Sequence, residues 1–566
     1  MLCAGASSPI SPARGDVRNP EAAQTLRRLA ERYFEERLDY QPSLATAVGL
    51  HDRDRLLEDY SKPRVERERV ALHAFLDTLT SAVDSAALAL DDQVDYALLI
   101  RDARMRLYEI ETLRVYERDP DLYHETASDG IYLLLKRDFA PLEERLEAVI
   151  ARSERVPPLL ATGMRNLKNP PEIWTRIAIE QARGTVAFFE KVVPAAASGV
   201  RDEQLRRRVV HAAESARRAA RDYVRFLEKE LLPRSKGEFA LGRDIFVRRC
   251  ALEEGITEPP ESILARGLAA IEENHRQIAK VCRQIDPDAS VAQVIERTSA
   301  NHPTAARLVA DCESELKSLR GFIVERGIVP IPGGENLVVT QTPIFRRSLS
   351  FASMDTPGPF EKTGTRAFYY VTPVDSTWSP TEQDDYLKMF CRGLIYTTGS
   401  HEAYPGHYVQ GLYAREHPSL VRKLTGSYAF SEGWAHYCEQ MLLDEGYSDD
   451  PELRLYQLHD ALLRLCRLVL TIRMHTQGWS MVQAIDWIVR EGYQERINAE
   501  REVKRYTMDP LVLSYTWGKW QIQELREKYR AHVGASYRLG EFHRRLLSLG
   551  APPMALAERL LLSEGP

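Results

Sequence analysis

The sequence predicts a mainly α-helical protein with one small β-sheet set into it. Eight segments (20–40, 64–82, 92–117, 141–154, 174–192, 202–231, 260–284 and 303–325) repeat apolar residues at three-and-four spacing, the signature of a helix that buries one face. One central stretch, 328–374, breaks that rhythm with β-branched residues, Pro and Gly. No internal repeat and no low-complexity tract interrupts the chain, which argues against a solenoid.

Taken in order, residues 1–19 lack a charged n-region and a sustained apolar run. A disordered tail is expected there, not a signal peptide. Residues 20–327 form an N-terminal helical region punctuated by VPPLL, KNPPE, LLPRSKGE and TEPPES. Residues 328–566 form a second region, packed with the first as one large unit. It opens with the small sheet at 328–374, in which RAFYYVTPV (366–374) reads as a strand. Such a strand either offers its edge to an extended peptide or only covers the core. Helices resume at Ser379-Pro380-Thr381-Glu382, an N-cap serine, a proline at the first helical position and a glutamate placed to close a capping box. That helix is expected to run through 383–397.

With 566 residues the chain is long enough for a large core and a cleft between lobes. Acidic residues (82) outnumber basic ones (76), and the arginine runs are interleaved with acids, so no basic stripe points to nucleic acid. Seven cysteines, an odd number without a Cys-x-x-Cys pair, argue against a disulfide framework and for a reducing, cytoplasmic setting. The most apolar stretch, 458–475, contains Arg464, Arg467 and Arg473. It reads as a buried helix, and no membrane association is expected. A homo-oligomer is compatible with the composition.

The chemistry concentrates in GSHEAYPGHYVQG (399–411). His401 and His407 flank Glu402, but six residues separate them instead of the four of a His-Glu-x-x-His helix. Six residues on one helix turn about 600°, which points His407 about 120° away from His401. A widened turn near Pro405-Gly406 would realign the two imidazoles over a metal; without it they are hydrogen-bonded core residues. A third ligand is sought in SYAFSEGWAHYCEQMLLDEGY (427–447), read as a helix from near Ser431 to about Gly446. Glu432 lies in its first turn and His436 four residues on, on the same face. Either one is able to serve as ligand with the other behind it, Glu432 being the favoured ligand, and imidazole nitrogen with carboxylate oxygen suits zinc.

HEAYPGH followed by SEGWAHY, with DPLVLSYTWG downstream and LDYQPSLATAVGLHDRDRLLEDYS (38–61) near the start, resembles the DUF885 family of bacterial proteins. That family is distantly similar to the gluzincin zinc metallopeptidases of the helical carboxypeptidase and oligopeptidase type. The resemblance implies a large, two-lobed metallopeptidase-like helical fold with a deep cleft and the small sheet beside the site. It implies His401, His407 and Glu432 as zinc ligands and Glu402 as general base. Tyr408 stands where family members often carry a further histidine. The family's downstream Pro-Gly-Gln-Ala pattern appears as Pro510-Leu511-Val512-Leu513, with Tyr515 retained.

The activity expected is hydrolysis of peptide bonds in short peptides, in the manner of a carboxypeptidase or dipeptidase. Glu402 would move the proton, and Tyr515 or, second, His475 would donate to the oxyanion. Tyr515 is otherwise a packing residue and His475 a helix cap. Arg473, Arg505 and Lys519 are the candidates for holding a substrate carboxylate. Two other readings compete: a metalloenzyme acting on a non-peptide amide or small metabolite, and a non-enzymatic helical binding protein. Glu402 counts against the second, because a ligand-only site needs no base.

Overall fold

The apolar rhythm becomes helix almost where it is expected. In the computed structural model, which describes residues 19–342, 347 and 351–563, the first helix is Pro20–Tyr40. Asn19 caps it, its Oδ1 accepting the N–H groups of Glu21 (3.1 Å) and Ala22 (3.2 Å). The tail expected over 1–19 lies, apart from Asn19, outside the described residues. The segments read at 174–192 and 202–231 each end in a wider π turn, at Phe188–Val192 and Leu227–Leu231, and the one read at 92–117 passes through such a turn at Glu109–Leu113 before a short helix at Val115–Arg118. Additional helices at Asp121–Leu135, Val156–Asn166 and Arg243–Glu254 lie between the segments that periodicity picked out.

The central stretch is a three-stranded sheet of β1 (Leu337–Gln341), β2 (Ala352–Asp355) and β3 (Ala367–Val371), in the order β1-β3-β2. β1 runs parallel to β3, and β2 runs antiparallel to it with Met354 opposite Tyr369. β2 is therefore an edge strand among the described residues. The capping box is formed: Ser379 N–H donates to Glu382 Oε2 (2.8 Å) and Glu382 N–H to Ser379 Oγ (3.3 Å). The helix it starts, Pro380–Leu387, does not reach residue 397 as the sequence suggests. It tightens into a 3₁₀ turn at Lys388–Phe390, and a new helix starts after the extended Cys391.

Six helices then build the site: α1 (Arg392–Glu402), α2 (His407–Glu416), α3 (Tyr428–Asp444), α4 (Pro451–Thr476), α5 (Arg496–Met508) and α6 (Ser514–Val533). The buried helix expected over 458–475 is the C-terminal two-thirds of α4, where Leu462, Leu468, Val469 and Leu470 are inaccessible. They share a core with Phe246, Ile271 and Ile278, so this core joins chain from both sides of residue 328. Another joins Ala23–Leu107 with Val421 and Leu560. α3 and α6 meet backbone to backbone: a Cβ on Gly518 would lie 1.8 Å from the Ala429 carbonyl oxygen. That close crossing brings Tyr515, one turn before Gly518, to the level of Glu432, next to Gly433.

Candidate metal centre

α1 stops at Glu402. The N–H groups of Ala403 and Tyr404 both return to the Gly399 carbonyl (3.0 and 3.1 Å), and Gly406 N–H donates to the Ser400 carbonyl (3.1 Å). α2 starts at His407, so the single kinked or bulged helix anticipated from the sequence is instead two helices joined by a four-residue turn containing the cis Tyr404–Pro405 bond. The 120° offset does not arise, because His407 belongs to a second helix axis. The two imidazole centroids stand 4.9 Å apart with their planes at 90°. The turn is pinned to α3 by the buried Trp434, whose Nε1–H donates to the Pro405 carbonyl (2.9 Å).

α3 starts at Tyr428, earlier than the anticipated Ser431, which moves Glu432 from the first turn into the second. The reason is its cap. Ser427 Oγ accepts the Phe430 N–H (3.2 Å), and the buried Glu254 carboxylate accepts the N–H groups of Ala429 (2.8 Å) and Tyr428 (3.1 Å). An anion placed against free helix-end donors stabilises that end.

Glu432 Oε2 lies 3.3 Å from His401 Nε2 and 3.5 Å from His407 Nε2. One ligand atom from each of the three residues falls within 4.8 Å of the others. Glu432 Oε2 is buried and has no hydrogen-bond partner. His401 Nδ1 is committed to Glu439 Oε1 at 2.7 Å, which leaves the lone pair of a neutral ring on Nε2, facing a carboxylate oxygen. Two electron-rich atoms in that position need a cation between them. Two imidazole nitrogens and one carboxylate oxygen form a donor set that fits zinc. Without the metal the charge is met by a proton: burial works against protonation of His401, but Glu432 and Glu439 outweigh it and raise the pKa to about 10. Burial pushes the Glu432 carboxyl up, and the two histidines outweigh it, holding it far below the usual range.

Glu439 was not among the residues singled out from the sequence. It is fully buried and also faces His436 Nδ1 (3.1 Å) and Arg464 Nη2 (2.9 Å). Its signal is present in the sequence: Glu432, His436 and Glu439 are spaced i, i+4, i+7 on one helical face. Of the two alternatives for a third ligand, Glu432 faces the histidine pair and His436 bonds Glu439; burial lowers the His436 pKa to about 3. A carboxylate behind a ligating histidine fixes its tautomer and raises its basicity. Glu439→Gln is expected to weaken zinc binding by about 10- to 100-fold, measured by competition with a chromogenic chelator. Unchanged affinity would remove Glu439 from the site.

Glu402, the last residue of α1, accepts the N–H of Met354 on β2 at its Oε2 (3.2 Å), so the base candidate lies between the metal candidates and the sheet edge. Tyr515 lies with its ring nearly parallel to that of His401, centroids 6.3 Å apart, and its Oη accepts a hydrogen bond from Tyr428 Oη (3.0 Å).

His475 is not brought there. Its Nε2–H donates to the Tyr506 carbonyl (2.8 Å), its Nδ1 accepts the Leu241 N–H (3.4 Å), and it stacks on Phe246. Both ring nitrogens are occupied by backbone, so no donor remains for an oxyanion. Burial lowers its pKa to about 4, which favours the neutral ring in the fold. This contribution to stability is complete above the ordinary histidine pKa and is lost as pH falls from there toward 4. In urea unfolding, the stability gap between the parent and His475→Gln should therefore shrink by about 2 kcal/mol between pH 7.5 and pH 5. A constant gap would contradict a neutral His475.

Arg473 also lies elsewhere, its guanidinium over the rings of Trp479 (4.3 Å) and Trp487 (5.4 Å). Lys519 is buried on α6, and that burial brings its pKa down to about 8. Arg505 reaches the site edge, where its Nη2 donates to Tyr428 Oη (3.0 Å). Among the described residues no helix is long and apolar enough to cross a membrane. The six described cysteines are unpaired and buried.

The family described as "Bacterial protein of unknown function (DUF885)" matches residues 42–561. No curated protein matches the chain. Two solved structures are similar over nearly their whole length. A "putative lipoprotein of unknown function" from Shewanella oneidensis is 26% identical, with a TM-score of 0.80 over 95% of this chain and 99% of that one. A "putative lipoprotein" from Colwellia psychrerythraea is 19% identical, with a TM-score of 0.82 over 96% and 98%, and shows the shared fold.

Proposed function

The chain belongs to the DUF885 family of bacterial proteins of unknown function, and from that premise we propose that it is a zinc-dependent hydrolase of peptide bonds in short peptides. The observation that carries this reading is the convergence of His401 Nε2 and His407 Nε2 on the unpartnered Oε2 of Glu432. His401, His407 and Glu432 would hold the zinc. When bound, zinc supplies an acidified water and polarises a carbonyl. Glu402 takes the proton of the attacking water and passes it to the leaving amine. Its hydrogen bond to Met354 N–H holds it on the sheet side, where an extended substrate has the β2 edge to pair with. Tyr515 donates to the oxygen on which negative charge develops, and its ring supports His401. The gluzincin likeness, with a two-lobed body and a cleft that admits short peptides, belongs to the same proposal.

Elemental analysis of the purified protein tests the metal, and a mixed peptide library tests the activity. One zinc per chain with peptide cleavage is expected. Zinc without cleavage of any peptide would favour a small amide or metabolite as substrate. A folded, metal-free protein that takes up no zinc would favour a binding protein and remove the hydrolase. A reducing, cytoplasmic location is proposed on the six unpaired cysteines. The lipoprotein wording of the two neighbours' names points the other way, and recovery of the native protein in the membrane fraction of its host cell would overturn it.

A further inference from the structure

Three guanidinium groups surround the ring of Tyr515. The Cζ atoms of Arg467, Arg464 and Arg505 lie 4.9, 6.0 and 6.0 Å from its centroid. Two of these charges are matched. Arg467 makes a two-pronged pair with Glu502 (2.9 and 2.8 Å), and Arg464 pairs with Glu439 (2.9 Å). The third is not. Its hydrogen bonds go to the tyrosines Tyr428, at 3.0 Å, and Tyr515. The one carboxylate within 4 Å of its head among the described residues, Asp509, is 3.5 Å from the same Nη2. Arg505 is also the exposed member: its side chain keeps 40% of its accessible surface, against 11% for Arg467 and 12% for Arg464.

A cation beside two others, with donors in hand and an open side toward solvent, gains most from an arriving planar anion. Arg505 is coupled to the metal candidates by a short path. Tyr428 Oη bonds both Arg505 and Tyr515, and the Tyr515 ring faces that of His401. The two steps from His401 to Tyr515 and on to Arg505 together span no more than about three to four extended residues. Neither other basic candidate competes: Arg473 is spread over two tryptophans and Lys519 is buried.

We infer that Arg505, aligned by Tyr428, is the subsite that holds a substrate carboxylate, and that the bond cleaved lies within a few residues of that carboxylate. This rests on the hydrolase reading above and narrows it to C-terminal release or to very short peptides. The same chemistry is offered by a chain terminus and by an Asp or Glu side chain, and the substrates below separate them.

The test uses the zinc-loaded full chain and N-acetyl tripeptides as free acids, as C-terminal amides, and as amides carrying Asp or Glu. The parent should prefer free acids. Arg505→Gln should lower kcat/KM for them by on the order of 10- to 100-fold, mainly through KM, down to the level of the neutral amides. Arg505→Lys should recover part of the loss, which a purely structural role does not predict. A preference for Asp- or Glu-bearing amides that Arg505→Gln abolishes would support the subsite with a side-chain carboxylate as its ligand. Equal cleavage of acids and neutral amides, unaltered in Arg505→Gln, would overturn the subsite and leave the hydrolase standing. No cleavage of any peptide by the zinc-loaded parent would overturn both.

Discussion

Replacing Glu402 by Gln should cut peptide hydrolysis by on the order of a thousandfold while one zinc per chain stays bound. A positioned general base contributes about 10²- to 10⁴-fold, and glutamine has nearly the same shape but cannot take up the proton. The carboxylate sits outside the convergence of His401, His407 and Glu432. Its hydrogen bond comes from Met354 N–H, and the amide oxygen of glutamine accepts that bond equally well. Folding and metal binding should therefore survive. Steady-state rates on the cleaved library peptides, with zinc content measured on the same sample, check both halves. Undiminished cleavage removes Glu402 from the reaction, and lost zinc makes it a ligand instead of a base.

Gly406→Ala should abolish the metal site altogether. A Cβ at this position would lie 1.6 Å from the His401 carbonyl oxygen and 2.7 Å from that of Ser400. The obstacle is backbone at the end of α1, which cannot rotate away as a side chain does. The φ of Gly406 is −65°, so glycine is required by closeness and not by handedness. The turn would have to open, swinging His407 off Glu432 and parting Trp434 Nε1 from the Pro405 carbonyl. The cost should reach or exceed the 1–3 kcal/mol common for overpacking. Gly411→Ala is the control, since its Cβ would meet only Thr356 at an ordinary 3.4 Å. Zinc titration of the three proteins should show binding in the parent and in Gly411→Ala, and none in Gly406→Ala. Full binding in Gly406→Ala would show that the turn does not hold the ligands in place.

Much of this architecture is legible in the chain, and the parts that are not have physical reasons. Helix periodicity and the Ser379 capping box are local patterns, and they appear where they are read. Glu432 and Glu439 share a face that helical spacing alone reveals. The break between α1 and α2 is less accessible: six-residue spacing was measured along one axis, whereas the chain spends residues 403–406 changing to another. The start of α3 at Tyr428 depends on Glu254, a carboxylate on a distant helix that no local pattern connects to Ser427. His475 misleads for the same reason. It ends an apolar helix near other candidates, but its partners Leu241 and Tyr506 come from elsewhere in the chain.

X-ray absorption at the zinc edge, on protein purified with its native metal content, addresses the central claim most directly. Two nitrogen ligands and one protein oxygen at about 2.0–2.2 Å are predicted, with the signal lost in Glu432→Ala. A folded protein that neither carries zinc nor takes it up, or a zinc site indifferent to Glu432→Ala, would contradict the account.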